Sequence, residues 1–160
     1  MILLSAKDKM SNLAGFLTGK GVEFEFLEKK VTHHAQEAAQ ASGLSLSEIV
    51  KTIVFVTEDK GPIIGIVQGD RSISRHKLQQ CSGAKSMRIA PDKVAESATG
   101  FPTGGIPPVG HRRQMPVFID TGVMAHEYVW CGGGSRQKLV KLKTADILRL
   151  SEGKICDLRM

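Results

Sequence analysis

Residues 49–70 read IVKTIVFVTEDKGPIIGIVQGD. Two runs rich in Ile and Val flank Glu58-Asp59-Lys60-Gly61. Branched side chains suit a pleated surface, and a polar segment ending in glycine suits a tight reversal, so the stretch reads as a β-hairpin. One residue does not fit a buried strand. Lys51 stands near the start of the first run, where an ammonium would either snorkel to the surface from an edge position or sit beside a cleft.

Upstream of the hairpin, SAKDKMSNLAGFLTGKG (5–21) places Met10, Leu13, Ala14 and Leu17 at helical spacing and closes on glycines. VEFEF (22–26) alternates strictly, with Val22, Phe24 and Phe26 on one face, as a half-buried strand does. Thr32 is a candidate cap for an Ala-rich helix closed by Gly43, and SLSE (45–48) has the spacing of a capping box. Downstream, SRHKLQQCSG (74–83) reads as a helix between Ser74 and Gly83, KSMRI (85–89) as a short strand, and Pro91 opens another helix. PVFID, EYVWC and QKLVKL read as strands, TADILRLS as a last helix, and EGKICDLRM as a fraying end. Helices and strands alternate irregularly around a hairpin, which predicts a single α+β domain over residues 1–160 with a mixed sheet. Neither GxGxxG nor GxxxxGK[ST] occurs, so dinucleotide and P-loop readings fall away.

Composition narrows the function further. With 160 residues, 41% hydrophobic and 24% charged, the chain suits one soluble domain and contains no run long enough for a membrane span. The opening MILLSAKDKM is too short and too soon charged for a secretory signal. Cys81, Cys131 and Cys156 form no CxxC pair, and an odd count without a framework argues for a reducing, cytoplasmic setting. The same spacing argues against structural zinc, and no cofactor motif appears. The net charge of +6 favours polyanionic partners, while 5% aromatic residues argue against an extended base-stacking platform.

Residues 101–116, FPTGGIPPVGHRRQMP, alternate residues that loosen the backbone with residues that fix it. Such a loop either turns a difficult corner or presents amide N–H groups to an anion or a developing oxyanion. WCGGGS (130–135) is either a wide turn or a place of close backbone approach. His111 follows the loop and can act as an acid, a base or a phosphate contact. His33, His34, His76 and His126 lack metal-ligand spacing, and His33 and His34 read as helix-start or surface residues. Cys131 has no patterned histidine to activate it as a nucleophile. Asp120 reads as a turn acceptor, and Arg112 with Arg113 as a solvated basic edge useful to an RNA binder.

The order of these pieces resembles one family. A lysine in IVKTIVF, then TGGIPPVGH, PVFID, EYVWCGGGS and TADILRL is similar to the YbaK/prolyl-tRNA-synthetase-associated domain family of aminoacyl-tRNA editing proteins, over residues 20 to 150. The resemblance implies a mixed, strongly curved and partly barrel-like sheet surrounded by helices. It implies a cytoplasmic trans-editing hydrolase that deacylates mischarged tRNA, with tRNA and an aminoacyl-tRNA synthetase as partners, no metal and no cofactor. By the same resemblance Lys51 and Gly105 would be catalytic. Thr52, Gly104, Ile106, Pro107, Gly110, His111, Gly132, Gly133 and Gly134 would bind the aminoacyl-adenosine end. Family members often read GGISPxG, whereas here Pro107 takes the place of the serine; His111 is the expected source of a compensating polar group. The alternative readings are a non-catalytic tRNA- or nucleotide-binding module with the same fold, and a protein partner of a synthetase.

Overall fold

The computed structural model describes residues 11–30 and 35–160. The expected roles of Met10, Thr32, His33 and His34 fall outside them. The hairpin forms as its sequence predicts. β2 (Val50–Thr57) and β3 (Gly61–Gln68) pair antiparallel from Val50↔Gln68 to Thr57↔Gly61. The Thr57 hydroxyl accepts the Lys60 N–H at 2.9 Å and donates to the Gly61 carbonyl at 2.7 Å, fastening the turn.

Around this hairpin, β4 (Met87–Ile89) adds on the β2 side, and β5 (Val117–Asp120) and β8 (Lys154–Cys156) add in parallel on the β3 side. The result is a five-stranded mixed sheet ordered β4-β2-β3-β5-β8. β1 (Glu25–Glu28), β7 (Lys138–Lys143) and β6 (Tyr128–Gly132) form a separate three-stranded antiparallel sheet. The fold is thus α+β and mixed as expected, but the partly barrel-like curvature is not found. Neither sheet closes on itself, and a lone parallel bridge from Ile49 to Trp130 links the two.

Strand alternation sends successive side chains to opposite faces, and the core divides accordingly. Ile64 and Ile66 meet Val129, Val140 and Leu142 of the smaller sheet, with Leu13 and Leu17 of α1 (Leu13–Lys20), Ala95 and Ala98 of α4 (Asp92–Thr99) and Ile147 of α6 (Thr144–Ser151). Phe55 and Ile63 point the other way, under Leu78 of α3 (Arg75–Ser82). A third cluster joins Ile49 and Leu139 to Ala38 of α2 (Ala35–Ser42). Helix limits follow their signals. The Asn12 side chain accepts from Gly15 and the Ser74 side chain from Lys77, and Gly21 and Gly83 close their helices at φ of +66° and +73°, where a side chain would be strained.

Two expectations need correction. The end read as fraying is tied down by Asp120, which caps the short helix α5 (Thr121–Met124). Its fully buried carboxylate accepts from the Gly122, Leu158 and Arg159 amides and pairs with the Arg159 guanidinium at 3.2 Å. The cysteines also behave differently: Cys81 on α3 and Cys156 on β8 are joined as a disulfide across 75 residues of sequence. Strand order brings them together, which spacing cannot reveal. No helix among the described residues is long and apolar enough to cross a membrane.

Candidate functional site

β4 covers β2 only from Phe55 onward, and Ala90 adds one bond to the Val54 carbonyl. The stretch before it, Val50 to Ile53, therefore has no β4 partner, and a cleft of about 540 Å³ opens along it. Lys51, Thr52, Gly104, Ile106 and Gly132 all line this cleft. So do Lys29, Asp92 and Thr103, which sequence reasoning missed. Thr103 had a local signal, standing directly before Gly104; Lys29 and Asp92 had none.

Lys51 is half-buried and forms no ion pair among the described residues. Burial pushes its pKa below the ordinary lysine range, with the nearby Asp70 charge opposing in part. Lys29 is lowered by burial too, against the charge of Glu37. The hydroxyls of Thr52 and Thr103 are buried without a hydrogen-bond partner. An unsatisfied buried hydroxyl costs about 1–3 kcal/mol, so two on one cleft wall are a feature of the site rather than of general packing.

The glycine loop is braced from both sides. Thr103 donates its N–H to the Glu96 carboxylate of α4 at 2.9 Å, and its carbonyl accepts from Arg136 Nε at 2.8 Å. Glu96 and Arg136 face each other at 3.8 Å, which closes the clasp. Gly105 then packs main chain against main chain: its N–H donates to Pro102 at 2.9 Å and its carbonyl accepts from Gly134 at 2.8 Å. A Cβ on Gly105 would stand 2.6 Å from the Ser135 carbonyl oxygen, and one on Gly132 would collide with the Ile106 carbonyl oxygen. Gly105 and Gly132 are glycines because the two segments touch there, while Gly104 and Gly134 take positive φ of +91° and +94°.

This arrangement corrects the expected picture of a loop with bare amides throughout. The Gly105 N–H is already committed to Pro102; the amides of Gly104 and Ile106 make no hydrogen bond among the described residues and belong to residues that line the cleft. Gly133 and Gly134 do not line it. The Gly133 amide closes the β6–β7 turn onto Lys138 at 3.0 Å, and Gly134 holds Gly105.

Pro107 is buried, and its carbonyl accepts from His111 Nε2 at 2.6 Å. Burial lowers the His111 pKa, against the bond to Pro107, and donation to a carbonyl oxygen puts a proton on Nε2. Gly110 and His111 line a second cleft of about 470 Å³ on another side of the loop. The polar group expected from His111 is therefore not in the Lys51 cleft, because the loop turns between them. Cys131 is wholly buried, and burial pushes its thiol pKa up, away from the reactive thiolate.

Residues 29–150 match the model of the aminoacyl-tRNA editing domain. The chain belongs to this family. The editing domain is 26% identical over 136 residues to a protein of Enterococcus faecalis named "Putative Cys-tRNA(Pro)/Cys-tRNA(Cys) deacylase EbsC", covering 85% of this chain and 83% of that one. It is 36% identical over 89 residues to a proline–tRNA ligase of Nitratidesulfovibrio vulgaris, covering 56% of this chain but 15% of the ligase. Among solved structures it is similar, with a TM-score of 0.83 and 30% identity over essentially the full length of both chains, to "a putative trans-editing enzyme for prolyl tRNA synthetase".

Proposed function

We propose that this editing domain hydrolyses the ester of a mischarged aminoacyl-tRNA in the Lys51 cleft. The observation that supports the reading most is that Lys51, the Gly104 and Ile106 amides and the Thr52 and Thr103 hydroxyls all belong to the lining of a single cleft. Val54, Ala90, Ala95 and Ile106 add an apolar section of wall, and Lys29, Gln36 and Asp92 a polar one. A water oxygen bonds to the ester carbonyl carbon as the water gives up a proton to solvent, and the carbonyl oxygen takes up the negative charge. The carbonyl then re-forms as the bond to the ribose oxygen breaks and that oxygen takes a proton from solvent. Preorganised donors aimed at the developing oxyanion are the largest contribution available to such a step. The Lys51 ammonium and the Gly104 and Ile106 amides are those donors, and the desolvated setting strengthens each. Gly105 acts through shape, holding its neighbours' amides in place.

The test is a deacylation panel. Purified protein is incubated with tRNAs charged with alanine, cysteine, serine and proline, and amino-acid release is followed. Release from one mischarged species above the buffer rate supports the enzyme and names its acyl group. Binding without release from any of them establishes the non-catalytic module instead.

A further inference from the structure

The glycine-proline loop has a second cleft beside its later half, and the editing chemistry does not use it. Three cations reach that cleft from distant parts of the chain: Lys20 at the end of α1, Arg113 just after the loop and Arg149 on α6. All three are exposed, and the cleft itself is open, with the Phe16 ring beneath Lys20 at 5.6 Å. Glu152 is the carboxylate on this lining, yet it accepts from the neutral Gln114 amide rather than from a cation. Lys20 and Arg113 form no ion pair among the described residues, and Arg149 pairs outside the lining, with Asp146 one turn earlier on its own helix. His111 adds a half-buried ring. Three cations against the single Glu152 carboxylate leave the lining with net positive charge, which attracts an anion.

We propose that this second cleft holds the phosphodiester backbone of the bound tRNA, on the far side of the loop from the ester. The inference rests on tRNA being the substrate. It gives the loop two jobs: residues 104–106 face the reacting ester, and residues 108–111 form one wall of a phosphate groove. Arginines and lysines on a concave surface suit phosphate oxygens by charge and by fork geometry. An aromatic ring at the edge offers one apolar surface to a ribose or base.

Binding of uncharged tRNA tests this without needing turnover, so it stands apart from the deacylation panel. Lys20→Gln/Arg113→Gln/Arg149→Gln removes the three cations, and an equal charge loss elsewhere, Arg75→Gln/Lys85→Gln/Lys154→Gln, is the control. All six positions are exposed, so the fold should tolerate either set. At about 0.1 M salt the cleft variant should bind tRNA at least about tenfold more weakly. The slope of log affinity against log salt should also fall by about 2, as loss of phosphate contacts requires. The control should keep most of both. Unchanged affinity and slope in the cleft variant overturn the proposal, and so does an equal loss in the control, which would mean diffuse attraction by net charge.

Discussion

The first half of the glycine-proline loop, Thr103–Ile106, and its second half, Pro107–His111, reach a fixed shape by different means. The first half is held from outside. Glu96 and Arg136 clasp the Thr103 main chain, and Gly105 rests against Ser135 and Gly134. The second half is held from within, by two prolines that fix their own φ and by a His111 ring bonded back to the Pro107 carbonyl. The difference matters because the externally held half carries the two amides to which the proposed reaction assigns the oxyanion. Its geometry therefore depends on residues outside the loop, whereas the second half adds its own prolines to a buried Val109.

The largest effect should come from filling the contact between the glycine segments. Gly105→Ala puts a methyl group against the Ser135 backbone, which cannot yield as a flexible side chain would. Denaturant titration should show a loss of about 1–3 kcal/mol or more, together with loss of deacylation. A midpoint equal to wild type would break the account of why these residues are glycines.

Next come the clasp residues. Arg136→Met and Glu96→Gln each leave one Thr103 main-chain group without a charged partner. A hydrogen bond to a charged group contributes about 1.5–3 kcal/mol, and only part of that is expressed as misplacement. Single-turnover rates should fall about tenfold with tRNA affinity little changed. An equal fall in rate and affinity would mean that the clasp supports the fold generally rather than positioning the loop.

Alkaline pH separates the lysine from the loop. Burial lowers the Lys51 pKa, so if the charged ammonium serves the proposed reaction, the rate should decline as pH rises through a value below that of an ordinary lysine. Lys51→Arg stays charged throughout, and whatever activity it retains should lack this decline. A wild-type rate that is flat up to the ordinary lysine range would show that Lys51 does not act as an ammonium.

The smallest effects belong to the second half. His111→Ala removes one bond to a carbonyl beside an open cleft, where water can replace the donor. Pro107→Ser restores a hydroxyl on a residue that does not line the Lys51 cleft. Each should alter the deacylation rate by no more than about threefold, on the order of 0.7 kcal/mol. A tenfold change from either would erase the distinction between the halves.

Much of this was legible in the sequence wherever the cause was local. The 49–70 hairpin and the Ser74 and Gly83 helix limits follow from residues within a few places of one another, whereas the local pattern left Lys51 between a surface edge and a cleft. What could not be read depends on topology. Thr103 meets Arg136 across 33 residues and Cys81 meets Cys156 across 75, so neither leaves a periodic signal. The two open sheets in place of a partial barrel reflect which strand edges meet, and alternation within a strand is silent on that. His111 shows the opposite failure. It is adjacent to the loop in sequence, yet the turn through Pro107 and Pro108 sends it to the other cleft.

The most direct test compares wild type with Lys51→Ala on the mischarged tRNA that the wild type clears best, recording single-turnover release and tRNA affinity together. The account predicts a rate lower by about 100- to 1000-fold, the usual effect of losing one oxyanion donor, with affinity and unfolding midpoint close to wild type. A Lys51→Ala protein that clears the ester at the wild-type rate would contradict it and would move the chemistry out of this cleft.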